Sequence, residues 1–175
     1  MRFKVEHSFR DDAGMVEIKK AQFCDLESIL ELQKLCYHEN AKRYGDIKIQ
    51  PLTQTLEDIR EEFRMGTILK AVDNGTIIGS IRGYVENGTG CIFKVVVAPN
   101  HQNRGIGTRL ITALEKALGD VKRFELFTGY RDHKNLYLYQ KLGYRKFKEE
   151  NDGKIVFIYL EKWKGEVKRN AENIC

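Results

Sequence analysis

"VVVAPNHQNRGIGTRLITALEKAL", residues 95–118, passes from an apolar run through a proline and two glycines into a helical pattern. The apolar run is typical of a buried strand. The helical pattern then places five apolar residues on one face of the predicted helix: Leu110, Ile111, Leu114, Ala117 and Leu118. Glycine lets the backbone approach a ligand closely, and a helix N-terminus offers unpaired N–H groups and a positive dipole end. The stretch therefore predicts a strand-to-helix joint suited to a phosphate.

The glycine pair admits several interpretations. A Walker A loop requires Gly-Lys-Ser/Thr, whereas this chain reads GIGTRL, which excludes it. A Rossmann loop requires a third Gly or Ala where Leu110 stands, although Glu125 lies 20 residues after Gly105, close to the spacing of a ribose-binding acid. A structural turn without a ligand is the third interpretation, and the residues of the loop alone leave it open.

Length and composition set the class of protein. The 175 residues, 42% of them apolar and 31% charged, predict one globular domain and exclude disorder. We expect an intracellular, cytoplasmic protein that does not bind membranes. This is because no apolar run approaches the roughly 18 residues of a membrane helix, and the N-terminus lacks the apolar block of a signal peptide. The net charge of +5 and the segment KWKGEVKR raise the alternative of nucleic-acid binding, but no nucleic-acid-binding motif supports it.

Cysteines and histidines give no metal-binding pattern. The four cysteines, Cys24, Cys36, Cys91 and Cys175, form no CxxC pair, and the four histidines form no HExxH motif. We therefore predict no metal site and expect reduced, mostly buried thiols.

The first half of the chain predicts a strand followed by two helices. A short strand is expected within residues 15–22, and a helix from Asp25 would bury one face. That face comprises Leu26, Ile29, Leu30 and Leu35. Thr55 and Asp58 form a capping-box pattern at the start of a second helix. Residues 1–15 alternate enough to form an extra strand or an arm.

Three β-rich runs follow, separated by Asn74-Gly75 and Asn87-Gly88. Asn-Gly supplies the positive φ angles of tight hairpins, so these runs predict an antiparallel meander. The third run, residues 91–98, is apolar on both faces except at Lys94, as expected of a central strand.

The second half predicts a helix, a strand, another helix and a hairpin. The strand VKRFELFTG follows a helical crossover, so it can lie parallel to the run at 91–98. Asp132 is the expected cap of the next helix and Gly143 its end, and Asp152-Gly153 is the hairpin turn. The core would span about residues 16–162 of a single domain, with a polar tail at 163–175.

Two separated motifs resemble the GNAT superfamily of N-acetyltransferases. The residues QNRGIG, from Gln102 to Gly107, match the Q/R-x-x-G-x-G/A signature and follow a VVVAP strand end. Downstream, NLYLYQKLGY resembles the family's L-Y-x-K-L-G-F/Y helix. The resemblance covers roughly Val16 to Lys162 and keeps the family's order of elements.

This resemblance implies a fold of the α/β (α+β) class. The expected central sheet is mixed but mostly antiparallel, splayed between the fourth and fifth strands, with helices on both faces. Acetyl-CoA would lie in the split. The family's pyrophosphate-binding loop corresponds to Gln102, Asn103, Arg104, Gly105, Ile106, Gly107 and Thr108, and its pantetheine-binding strand to Val95, Val96 and Val97. Asn135 would contact the pantetheine.

The resemblance also implies catalytic roles. Tyr139 occupies the family's general-acid position, where it would protonate the departing CoA thiolate; packing within the core is the alternative role for this side chain. Many relatives carry a carboxylate base in the central strand, where this chain has Phe93 and Lys94. The base is therefore open: Glu125 is the first candidate among the carboxylates, ahead of Glu39 and Glu86, and a chain of water molecules is equally acceptable. Asp132 stands where the family often has asparagine.

The implied reaction transfers an acetyl group to a primary amine by direct attack in a ternary complex. The acceptor, a small molecule or a peptide, would lie near the first two helices and the hairpins at 73–76 and 150–154. Many relatives form homodimers, so a homodimer is one expected state. A non-catalytic module that binds or senses CoA is the alternative function.

Overall fold

The computed structural model describes residues 16–45 and 48–165, without the side chains of Asn40 and Arg43. The strand or arm expected within residues 1–15 and most of the polar tail lie outside these ranges. Seven strands are described: β1 (Glu17–Lys20), β2 (Thr67–Asp73), β3 (Thr76–Glu86), β4 (Thr89–Val97), β5 (Arg123–Gly129), β6 (Arg145–Asn151) and β7 (Val156–Trp163). The helices are α1 (Leu26–Tyr44), α2 (Gln50–Thr53), α3 (Leu56–Met65), α4 (Ile106–Ala117) and α5 (His133–Lys141).

All seven strands form one mixed sheet in the order β1-β2-β3-β4-β5-β7-β6. Every neighbouring pair is antiparallel except β4 and β5, which are parallel. The predicted meander is confirmed, because left-handed Asn-Gly pairs turn the chain between β2 and β3 and between β3 and β4. This sheet excludes the Rossmann interpretation, which requires a mostly parallel sheet.

The sheet is splayed between β4 and β5, as expected. The two strands pair only where residues 89–91 lie beside residues 123–125, and the last pair is Cys91 with Glu125. Beyond that pair the register of β4 continues only toward β3. The carboxyl halves of β4 and β5 therefore form the two sides of an open split.

Helix α4 packs against one face of the sheet through small residues of β3. A Cβ atom at Gly79 would lie 3.2 Å from Leu110, and one at Gly83 would lie 3.0 Å from Leu114. These leucines are fully buried, whereas Ala117, which we expected in the same stripe, is exposed. The absence of side chains at the two glycines lets α4 approach the sheet closely.

Helix α1 packs against the opposite face. Leu26, Ile29 and Leu30 are buried as predicted, but Leu35 is 55% exposed. That prediction was wrong for a geometric reason: at about 100° per residue, Leu35 lies half a turn around the helix from Leu26. Gln33 is fully buried instead.

The connection between the first two predicted helices contains the short helix α2, which the sequence pattern did not indicate. The capping box of α3 is confirmed, since the Thr55 hydroxyl accepts from the Asp58 backbone and Asp58 accepts from the Thr55 backbone at 2.7 Å. No helix in the described ranges combines the length and apolar character that crossing a bilayer requires.

Candidate active site

The glycine-bearing loop places a helix N-terminus beside the open split. Asn103 and Gly105 both have left-handed backbone angles, with φ of 62° and 75°. Gly105 precedes α4, and Ile106, the first helical residue, is 2% exposed and anchors the helix in the core. Because the first N–H groups of a helix have no partner within it, the backbone donors of Ile106, Gly107 and Thr108 have no acceptor within α4.

The loop is tied to the end of β4. The side-chain amide of Gln102 donates to the carbonyl oxygen of Val97 at 3.1 Å, and the Cys36 thiol approaches the same oxygen at 3.4 Å. Burial raises the pKa of Cys36 to about 11, so this thiol stays protonated at neutral pH. The contacts hold the glycine-bearing loop next to the split. The side chains of Asn103 and Arg104 are exposed on the loop.

The strand residues expected to bind pantetheine lie beyond the last β4–β5 pair. Val96 is buried, whereas Val95 and Val97 are half-buried. On their other side, Val96 and Val97 pair with Ser80 and Gly79 of β3. One edge of this segment is therefore held by the sheet, while the other faces the split.

A bulge interrupts β4 at Lys94, where φ is 53° and the register with β3 shifts. The Lys94 side chain is 8% exposed, and its ammonium group contacts Glu62 of α3 at 2.5 Å. Glu62 also pairs with Arg82 of β3, whose side chain is 1% exposed. Burial lowers the pKa values of both Lys94 and Arg82. The strand position where many relatives carry a base thus holds a cation that is paired with Glu62.

The buried polar cluster extends into the helical layer. Arg82 also donates to Gln54 at 3.0 Å, and Gln33 donates to Gln54 at 2.8 Å. The sequence pattern missed this cluster because Gln33, Gln54 and Glu62 come from three separate segments. Gln33, a polar residue on the buried face of α1, was the available signal.

Glu125 lies at the closed end of the split, opposite Cys91. Its carboxylate forms an ion pair with Arg123, which also pairs with Glu161 of β7. The side chain of Glu125 is 28% exposed. Its assignment as the base stays a prediction.

Tyr139 lies in α5 and is 3% exposed, packed with its ring centroid 6.2 Å from that of Tyr144. Burial raises the pKa of Tyr139, and nearby Tyr37 and Asp132 raise it further. The phenol therefore stays protonated at neutral pH. Its assignment as the general acid stays a prediction.

Asp132 is the N-cap residue of α5, as expected, but its side chain forms no capping hydrogen bond. Its carboxylate instead accepts from the side-chain amide of Asn135 at 2.8 Å. Asn135 is thereby oriented at the start of α5, where it was expected to contact pantetheine. No group of three or more His, Cys, Asp or Glu side chains that could hold a metal occurs among the described residues.

Solved structures with the same fold are numerous. The PaiA N-acetyltransferase of Thermoplasma acidophilum, solved in complex with coenzyme A, is 19% identical over 86% of this chain and 99% of its own, with a TM-score of 0.72. The ribosomal-protein-S18-alanine N-acetyltransferase of Escherichia coli is 16% identical over 89% and 98% of the two chains, with a TM-score of 0.70. The IAA acetyltransferase of Bacillus cereus is 23% identical over 85% and 99%, with a TM-score of 0.62.

These identities establish a shared fold and no more. A comparison with curated proteins gave no significant match. The model of the acetyltransferase (GNAT) family, however, matches residues 26–144, which include α1, the split, the glycine-bearing loop and Tyr139. With two thirds of its length matched, this chain belongs to the acetyltransferase (GNAT) family.

Proposed function

We propose that the protein transfers the acetyl group of acetyl-CoA to a primary amine by direct attack in a ternary complex. The observation that carries the proposal is the split between β4 and β5, which opens next to the N-terminus of α4. A protein of the same fold was solved with coenzyme A. The same coenzyme fits the chemistry of the residues here.

The loop at residues 102–108 would bind the pyrophosphate. The left-handed Asn103 and Gly105 make the chain concave, and such concavities of N–H groups bind anions. The dipole of the 12-residue helix α4 adds a positive potential at the same place. Arg104, exposed on this loop, adds a positive charge.

The exposed edge of β4 at Val95, Val96 and Val97 would pair with the amide groups of the pantetheine arm, as an added strand does. A strand N–H directed at the thioester oxygen would stabilise the negative charge that develops during attack. Asn135, held by Asp132, supplies a side-chain amide near the start of α5.

The reaction requires two proton movements. An alkylammonium group has a pKa of about 10.4, so the amine must lose a proton before its nitrogen can form the new C–N bond. As the C–S bond breaks, the CoA thiolate gains a proton. Tyr139 holds its phenolic proton at neutral pH and would donate it. We assign the removal of the amine proton to Glu125 or to water leading to solvent.

A specific observation favours a second function, a non-catalytic module that binds or senses CoA. The bulge in β4 presents Lys94, already paired with Glu62, where many relatives carry a carboxylate. Release of free thiol from acetyl-CoA in the presence of an amine panel separates the two functions. Coenzyme binding without thiol release by any amine supports the sensing module.

Calorimetry tests coenzyme binding directly. Wild type should bind acetyl-CoA, and Arg104→Glu should weaken binding by about tenfold or more, because it places a carboxylate beside the pyrophosphate. Lys20→Glu is the matched control, since it makes the same charge change on the exposed edge strand β1. Equal affinities in all three proteins would contradict the loop assignment.

A further inference from the structure

An aromatic cluster occupies the sheet face opposite α4, which we call the aromatic face. On β5, Phe124 and Leu126 are buried in the core that α4 covers. Because side chains alternate along a strand, Glu125 and Phe127 point the other way. The aromatic face comprises Tyr84, Phe93, Phe127, Phe157 and Tyr159. Two of these rings are open to solvent: Tyr84 is 37% exposed and Phe127 is 47% exposed.

The rings form two contact groups on opposite sides of the split. On the β3–β4 side, the centroids of Tyr84 and Phe93 are 5.8 Å apart. On the β5–β7 side, Phe127 lies 5.7 Å from Phe157 and 5.3 Å from Tyr159. Such edge and tilted pairs hold the rings in fixed orientations.

The split opens between these two groups. Cys91 and Glu125 form the last pair of β4 and β5. Phe93 and Phe127 each lie two residues further along their strands and therefore point to the same face as that pair. On this face the split is consequently flanked by aromatic rings, and the Glu125 carboxylate lies at its closed end.

Carboxylates outnumber cations around Arg123, at the closed end of the split. Arg123 is shared between Glu125 and Glu161, so two carboxylates face one guanidinium. Glu86 lies close enough to act on Cys91: burial raises the pKa of that thiol, and the charges of Glu125 and Glu86 raise it further. A cationic group is favoured at this place by the carboxylates and by the ring face of Phe127. Phe93 and Tyr159 already have the ammonium groups of Lys94 and Lys148 at 5.6 Å and 5.0 Å from their centroids.

Two considerations identify what binds there. The loop at residues 102–108 leads into α4, so the proposed site places the coenzyme phosphates at the N-terminus of this helix. The attacking amine would then reach the thioester most directly from the sheet face opposite α4. An ammonium group would be attracted by the carboxylates. Burial of the exposed aromatic rings against apolar surface would also contribute favourable free energy to binding. We infer that the acceptor is a primary amine carried on an aromatic or bulky apolar group. This inference rests on the proposed acetyl transfer.

Matched amines test the inference. Thiol release from acetyl-CoA would be measured with phenethylamine and tryptamine, and with ethanolamine and putrescine as polar amines. We expect kcat/KM for the aromatic amines to exceed that for the polar amines by about tenfold or more, since burial of one ring contributes a discrimination of this size. Equal or greater activity with the polar amines would overturn the inference.

Variants of the aromatic face locate the effect. Phe127→Ala should lower kcat/KM for phenethylamine by about tenfold while leaving ethanolamine nearly unchanged. Phe127→Leu retains apolar volume and should lose less. Tyr137→Ala removes a tyrosine that is 68% exposed on α5 and should change neither value. An equal loss for both amines in Phe127→Ala would contradict the assigned contact.

Failure of the inference differs from failure of the proposed function. If acetyl-CoA does not bind in calorimetry, the proposed function fails. If the coenzyme binds and only polar amines are acetylated, the acceptor class alone fails.

A second copy of the chain is the competing occupant of the aromatic face. If Phe127→Ala converts a dimer to a monomer and leaves amine selectivity unchanged, the inference is overturned. Light scattering after size-exclusion chromatography measures this.

Discussion

Gln102 donates a hydrogen bond from its side-chain amide to the carbonyl oxygen of Val97 at 3.1 Å, joining the glycine-bearing loop to the strand at the split. Residues 102–105 of the loop are exposed, and this bond ties them to β4. The geometry of the loop and that of the strand edge at the split are thereby coupled.

Removal of this amide should weaken coenzyme binding. In Gln102→Ala the loop must be ordered when the ligand binds, and we expect the Kd for acetyl-CoA to rise by roughly three- to tenfold, the equivalent of one hydrogen bond. Calorimetry measures the change. Gln140→Ala, which removes an exposed amide from α5, is the control and should bind as wild type does. An unchanged Kd in Gln102→Ala would show that the bond does not organise the loop.

Gly105 is the loop position where a side chain is least tolerated by the backbone. Its φ of 75° lies in the left-handed region, and a Cβ atom at this position would have no neighbour within 4 Å. The cost of adding a side chain is therefore backbone strain and not a clash with neighbouring atoms. Gly105→Ala should lower the free energy of unfolding by about 1 kcal/mol. Gly105→Asn should cost less, because asparagine adopts this conformation more readily. Urea denaturation compares the three proteins, and equal stability of wild type and Gly105→Ala would contradict the argument.

Tyr139→Phe tests the proposed general acid. The variant keeps the buried ring but removes the proton donor, so we expect kcat to fall by about 10²-fold or more with little change in acetyl-CoA affinity. Tyr137→Phe, a change at an exposed position of the same helix, should retain activity. Normal turnover by Tyr139→Phe would leave this tyrosine as a packing residue.

Buried tyrosines should make the fold sensitive to alkali. Burial raises the pKa of Tyr37 to about 12 and raises those of Tyr139 and Tyr144 as well. In the unfolded chain tyrosine ionises near pH 10, so above that pH the unfolded state loses protons that the folded state retains. Stability present below about pH 10 should therefore fall as the pH rises toward 12.

Urea midpoints measured by circular dichroism from pH 8 to 11 report this loss. Tyr139→Phe should reduce the steepness of the decline, whereas Tyr137→Phe should not. A midpoint that stays constant in wild type to pH 11 would refute the explanation.

Glu62 should contribute strongly to stability because its carboxylate is the ion-pair partner of two buried cations. Glu62→Ala leaves Arg82 and Lys94 without their carboxylate, and we expect a loss of about 3–5 kcal/mol. Replacing Lys94 by Met in the Glu62→Ala background should recover part of this loss, because it removes one uncompensated charge. Chemical denaturation of the single and double variants measures both effects. Additive losses would contradict direct pairing.

Much of the local structure follows from the sequence alone. Asn-Gly turns fixed the meander, the Thr55 and Asp58 pair fixed the start of α3, and the QNRGIG and YQKLGY motifs indicated the family. These signals are short-range: left-handed turns and capping boxes depend on residues within a few positions of each other. The position of the open split between the fourth and fifth strands was inferred from the family resemblance.

Other features were decided only in the tertiary structure. A cluster of polar side chains joins separate helices and strands: Gln33, Gln54, Glu62, Arg82 and Lys94. The pairing of Arg123 with Glu161 depends on the register of β5 against β7. The aromatic face likewise needs four strands to bring its rings together. Local sequence determines which turns and helices a segment can form, but contacts between distant segments arise only when the sheet is assembled and the burial of each face is settled.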